Sequence, residues 1–207
     1  DNSQNMINWN SQQVLLTNDY RIGESSSRGA SSFLIMGKND TFLCTAKHLL
    51  SEAMGIQPEV KTDSFNDVLG YWYAFPRNDS LTNDTFNIVS IKTTEPSTYD
   101  IILMNYQKPK QSATVALKPR FRSVTPNEEL WLIGCEYSDF SCIQNRYKLS
   151  VDGQYEDGMI STICRDNIQL SGFSGAPIVD SKDRVVGVAY GGNETKNGTN
   201  VAFEPIS

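Results

Sequence analysis

Thr41-Phe42-Leu43-Cys44-Thr45-Ala46-Lys47-His48 is an apolar run that follows the turn-like Gly37-Lys38-Asn39-Asp40 and ends on the only histidine of a 207-residue chain. A short apolar run bounded by turn residues predicts a strand, and the pattern repeats outward from it. On its own side, runs at 32–36, 71–75, 87–92 and 100–106 are separated by Gly, Asn, Asp, Ser and Pro. A second series follows at 129–134, 146–151, 159–164, 176–180, 184–190 and 200–204, with Asp180-Ser181-Lys182-Asp183 as one of its turns. The one helical stretch, 47–54, is too short to change the class. The chain therefore reads as all-β.

Between the two series lies 108–125, which carries Lys108-Pro109-Lys110 and Lys118-Pro119-Arg120 and little alternation, the composition of a connector. The expected organisation is a polar N-terminal extension at 1–13, a first unit at 14–107, the connector, and a second unit at 126–207. Closure is the usual answer to exposed strand edges, so roughly six runs on each side predict two small antiparallel barrels rather than one long sandwich.

Composition narrows the function. A chain of this length with 39% hydrophobic residues buries a sizeable core without staples. A net charge of -6 with no basic stripe argues against nucleic acid as a partner. The longest apolar runs, such as 101–104 and 130–133, fall far short of the roughly twenty residues that span a bilayer. None of the four cysteines (Cys44, Cys135, Cys142, Cys164) has a partner at CxxC spacing, so neither a metal nor a cofactor is expected. Cys135 and Cys142 enclose a short loop, and a bridge or two free thiols both fit that spacing. Asn-x-Ser/Thr tripeptides at Asn78, Asn83, Asn193 and Asn197 carry little weight in a chain so rich in these residues. Oligomeric state is not legible.

A lone histidine is more often structural than reactive, and its context decides. Gly172-Phe173-Ser174-Gly175-Ala176-Pro177 sets a serine between two glycines just before an apolar strand, a composition suited to a tight turn that exposes a hydroxyl. A serine that attacks a carbonyl needs a base, and His48 is the only imidazole. The base needs a carboxylate to fix its tautomer. Asp100 opens the apolar Ile101-Ile102-Leu103-Met104, where a buried carboxylate calls for a specific partner, whereas Asp63, Asp67, Asp79 and Asp84 lie in polar loops. No histidine follows Ser174, which excludes the order Ser, Asp, His, and Ala176 departs from the G-x-S-x-G elbow. Asp19 and Asp40, which precede His48, have no supporting strand context.

The order His48, Asp100, Ser174 resembles the chymotrypsin-like serine proteases, in particular their bacterial trypsin-like and HtrA-type branch. The resemblance runs from about Gly29 onward. Gly29-Ala30-Ser31-Ser32-Phe33-Leu34-Ile35 is similar to the family's Gly/Ser-rich opening strand, Thr45-Ala46-Lys47-His48 to its T-A-x-H motif, and Tyr99-Asp100-Ile101-Ile102-Leu103 to its D-x-A-x-L segment. Gly172-Phe173-Ser174-Gly175-Ala176-Pro177 resembles G-x-S-G-G-P, with Val186-Gly187-Val188 and Val201-Ala202-Phe203-Glu204-Pro205 similar to the strands beyond it.

The resemblance implies two six-stranded barrels with the triad between them, an oxyanion hole from the amides of Gly172 and Ser174, and a protein or peptide substrate. By position it implies Ile168 and Gln169 at the base of the specificity pocket, Tyr190, Gly191 and Gly192 as the strand that pairs with substrate backbone, and Asn200 as the far wall. With no acid at the pocket base, a small or neutral side chain is expected before the scissile bond. Phe173 replaces the aspartate of zymogen-type members, and its bulk leaves open an inactive oxyanion loop and a peptide-binding module without catalysis. An esterase or acyltransferase using the same triad is a further alternative. A start at Asp1 rather than Met, together with the family's habits, gives the expectation of an extracytoplasmic site, whether secreted, periplasmic or cell-surface.

Overall fold

The computed structural model describes residues 6–77, 84–93 and 99–206, so the tripeptides at Asn78 and Asn83, and Asp79, lie outside the described residues. The first barrel is closed in the order β1 (Leu16–Ile22), β2 (Ser25–Met36), β3 (Thr41–Thr45), β6 (Ile102–Gln107), β5 (Phe86–Ile91), β4 (Leu69–Phe75). The second closes as β10 (Pro177–Val179), β11 (Val185–Thr195), β12 (Gly198–Pro205), β9 (Ile160–Cys164), β8 (Asn145–Gln154), β7 (Glu129–Gly134). All pairings are antiparallel, as two separate runs of strands predict.

Alternation sets the cores. In β1, Leu16, Asn18, Tyr20 and Ile22 point inward, and Tyr20 stacks on Trp72 with ring centroids 4.1 Å apart. Asn18 Oδ1 accepts hydrogen bonds from Trp72 Nε1 and Ser32 Oγ, both at 3.0 Å, which brings a polar side chain into the barrel. Leu130, Leu132, Leu149, Ile178, Val188 and Phe203 fill the second barrel. Each such side chain contributes about 1.5–3 kcal/mol through burial.

Three features differ from the sequence expectation. The first strand starts at Leu16, well before 32–36, because β1 and the first half of β2 are polar and owe their pairing to the sheet rather than to propensity. The predicted helix at 47–54 is two 3₁₀ turns, Lys47–Leu50 and Glu52–Met54, while Thr62–Ser64 and Phe65–Val68 add two turns beyond it. The N-terminal stretch is tied down from Ile7: Ile7 N–H and Trp9 Nε1 donate to the Asp183 carboxylate, and Gln144 receives Val14 N–H and Leu15 N–H at 2.9 and 3.1 Å. Gln144 Nε2 donates in turn to the carbonyls of Trp9 and Gln12.

Leu117 bridges Ile35 of the first barrel and Pro119 bridges Val185 of the second, so the segment between the barrels touches both. The buried Arg120 pairs with Glu128 at 2.6 Å and with Asp180 at 3.3 Å. The Arg120 hydrogen bond holds Glu128 below the ordinary carboxylate range. Cys135 and Cys142 form a disulfide; Cys44 and Cys164 are buried free thiols. Among the described residues no helix is long and apolar enough to cross a membrane.

Candidate active site

Three connections between strands converge on one point. His48 lies in the turn after β3, Asp100 immediately before β6, and Ser174 in the loop before β10. His48 Nδ1 lies 2.6 Å from Asp100 Oδ2, and His48 Nε2 lies 2.8 Å from Ser174 Oγ. The His48 backbone N–H donates to Asp100 Oδ1 at 2.7 Å, so both carboxylate oxygens serve the same residue. An ionised carboxylate only accepts, which assigns the proton to Nδ1 and leaves the Nε2 lone pair facing the serine hydroxyl. Ser174 Oγ also lies 3.2 Å from the Tyr190 carbonyl, but a hydroxyl has one proton and the shorter contact is to His48.

The serine loop is held by the first barrel. Ser31 N–H donates to the Ser174 carbonyl and Ser31 Oγ to the Gly172 carbonyl, both at 2.8 Å. Gly175 has φ +90°, and a Cβ there would sit 2.0 Å from the Ser31 carbonyl oxygen and 2.3 Å from Thr45 Oγ1, so only glycine fits. Among the described residues the N–H groups of Gly172 and Ser174 donate to no protein acceptor, which leaves both free for a ligand. Phe173 is turned into the second barrel, 1% exposed, edge-on to Tyr147 at 5.8 Å. Its ring occupies the space over Gly134, where a Cβ would meet it at 2.3 Å. The bulky residue before the serine therefore anchors the loop from beneath.

The remaining expected site residues divide. Tyr190 is half-exposed, its ring edge-on to His48 at 5.2 Å. Tyr190, Gly192 and Asn200 line a cavity of about 320 Å³ with Tyr155, Asp157 and Met159, whereas Ile168, Gln169 and Gly191 are not part of its wall. Ile168 is buried, its N–H held by Thr199 Oγ1, and the Gln169 N–H is taken by Glu136 Oε1. The Asn200 amide is committed to Ser161 Oγ and the Thr162 carbonyl and accepts from the Tyr155 hydroxyl.

Sequence reasoning missed Ser31 and Thr45 as supports of the serine loop, and it missed Glu204. The Glu204 side chain, 4% exposed, reaches across from β12, and burial pushes its carboxyl above the ordinary value. A lone carboxylate inside the apolar Val201-Ala202-Phe203-Glu204-Pro205 was the available signal.

Two closed six-stranded antiparallel barrels define the chymotrypsin-like class of fold. The chain belongs to the trypsin-like peptidase domain family, which matches residues 30–188. Family and fold support a protease-type hydrolase with a protein or peptide substrate. The protease Anisep from Arthrobacter nicotinovorans superimposes with a TM-score of 0.68 at 12% identity, covering 94% of this chain and 90% of its own. The MamO protease domain from Magnetospirillum magneticum gives 0.60 at 13% identity, with 96% and 95% covered. Tobacco etch virus protease, solved with its product, gives 0.61 at 13% identity, with 99% and 78% covered. No curated protein matches the chain in sequence.

Proposed function

We propose that the chain is a serine endopeptidase that hydrolyses peptide bonds through an acyl-enzyme on Ser174, with His48 as general base and then acid and Asp100 as its orienting carboxylate. The continuous contact from Asp100 Oδ2 through the imidazole to Ser174 Oγ, at 2.6 and 2.8 Å, carries this reading. Ser174 Oγ attacks the scissile carbonyl as its proton passes to Nε2, and Asp100 stays ionised and stabilises the imidazolium. The oxyanion is received by the N–H groups of Gly172 and Ser174, neither of which has a protein acceptor among the described residues. The imidazolium then protonates the leaving amine, and a water deprotonated by His48 releases the acyl group.

Residues 190–192 pair with the substrate backbone on the acyl side, and the cavity walled by Tyr190, Gly192 and Asn200 takes a small or neutral side chain, with Ile168 and Gln169 behind its wall. The disulfide fits an oxidising, extracytoplasmic compartment.

Labelling with a fluorophosphonate, with the modified residue found by peptide mass spectrometry, tests the reading. Stoichiometric modification of Ser174 that disappears in His48→Ala supports it. An unreactive Ser174 at neutral pH sinks it in favour of a peptide-binding module without catalysis.

A further inference from the structure

Beside the serine loop the surface opens into a cavity of about 450 Å³ whose wall runs from Gly172 along residues 28–31 of β2 to Phe75, Arg77, Tyr137 and Phe140. With residues 190–192 holding the acyl half of a substrate, this cavity receives the leaving half, and its role therefore rests on the endopeptidase reading.

Its chemistry departs from that of the rest of the chain. In a protein of net charge -6, the described residues lining the cavity include two arginines and no carboxylate. Arg77 is already committed as a structural donor: Nη1 bonds the Glu136 carbonyl at 3.1 Å, and Nη2 bonds the Asp139 and Tyr137 carbonyls at 3.0 and 3.4 Å. Carbonyls satisfy its hydrogens without cancelling its charge. The nearby Glu136 and Asp139, whose carboxylates hold the Gln169 N–H and Ser141, are not part of the cavity wall.

Arg28 is exposed, lies over the Phe75 ring at 5.8 Å and makes no ion pair among the described residues, although Asp19 is its cross-strand neighbour. β2 bulges just beyond it, with Gly29 and Ala30 both at positive φ, +113° and +58°. Such a bulge re-aims the neighbouring side chains. Opposite stand the exposed rings of Tyr137 and Phe140, presented by the loop that the Cys135–Cys142 disulfide closes.

We infer that this cavity selects substrates with an acidic side chain within the first three residues after the scissile bond, with Arg28 as its charge partner and Tyr137 and Phe140 as apolar walls. Arg28 lies three residues along β2 from Ser31, at most about 10 Å with the bulge between them, so the second and third leaving-side residues are the ones within its reach. A guanidinium beside an aromatic wall matches a carboxylate better than an amide and repels an ammonium group.

Quenched fluorescent peptides that share one acyl-side sequence and carry Glu, Gln or Lys at the second or third leaving-side position test this. The expected order of kcat/KM is Glu, Gln, Lys, with Glu over Lys by about tenfold at low salt and less as ionic strength rises. Arg28→Glu reverses the Glu/Lys ratio, and Arg28→Gln brings it close to one. A general loss on substitution cancels, because each enzyme is read as a ratio between peptides. Equal rates for the three peptides with Ser174 still labelled by fluorophosphonate overturn the inference and leave the endopeptidase standing, as does an Arg28→Glu enzyme that keeps its preference for Glu. Failure of every peptide together with an unlabelled Ser174 overturns both.

Discussion

Glu204 Oε1 accepts the backbone N–H of Asp100 at 2.9 Å, so a carboxylate on the last strand of the second barrel holds the residue that faces His48 in the first. Two carboxylates meet at this boundary, and that of Glu204 is sealed in. The sealed one serves through its oxygen as an acceptor, and its charge is a cost.

Glu204→Gln keeps an acceptor and removes the charge, so it should match or exceed the parent in stability at neutral pH. Glu204→Ala leaves the Asp100 N–H without a partner and should lose about 1–3 kcal/mol. The sign with pH follows from the raised carboxyl: the folded state binds the proton more tightly than the unfolded chain. Glu204 therefore destabilises increasingly as pH climbs from the ordinary carboxylate value through the raised one. Thermal unfolding of the parent and Glu204→Gln at several pH values should show the gap between them widening across that window and then levelling off.

Asp100→Asn exchanges an acceptor for an amide that can donate to Nδ1. The imidazole proton then moves to Nε2, where it no longer accepts from Ser174. A loss in kcat on the order of 10⁴-fold near neutral pH is expected, with unchanged thermal stability as the control that the fold persists. A loss under tenfold would contradict the assigned tautomer.

Gly134→Ala places a methyl where the Phe173 ring lies. The ring must shift, and the serine loop shifts with it. Overpacking of this kind costs about 1–3 kcal/mol in denaturant unfolding, and the labelling rate of Ser174 should fall in parallel. An unaltered labelling rate would mean that Phe173 does not set the loop.

Gln144→Ala removes the acceptor for two N–H groups of the buried residues Val14 and Leu15. Hydrogen exchange at those two amides should quicken well before exchange in β7 or β12, and melting should drop by an amount consistent with about 1–3 kcal/mol per orphaned group. Uniform acceleration across the chain would instead mark Gln144 as part of the global core.

The two barrels were legible because most strands are apolar runs bounded by turn residues, a local signal. His48, Asp100 and Ser174 could be picked out because each departs from its surroundings: a lone imidazole after a strand, a carboxylate at the mouth of an apolar run, a hydroxyl between glycines. β1 escaped because Asn18, Asp19 and Arg21 break the apolar pattern, and Asn18 is buried only through partners 14 and 54 residues away. Glu204 and the Gln144 clip escaped for the same reason, since their partners are 104 and about 130 residues distant. The Cys135–Cys142 bridge was not legible because spacing alone permits a bond without requiring it.

Ser31 also bears on the order in which the molecule is made. It belongs to the first barrel, yet its N–H and hydroxyl hold the two carbonyls that give the serine loop its bend. Synthesis runs from the N-terminus, so Ser31 is made long before residue 172. The loop's other lock, the Gly175 N–H on the Ala189 carbonyl, waits for β11. The set of contacts that shapes the nucleophile can thus be completed only when nearly the whole described chain has been made.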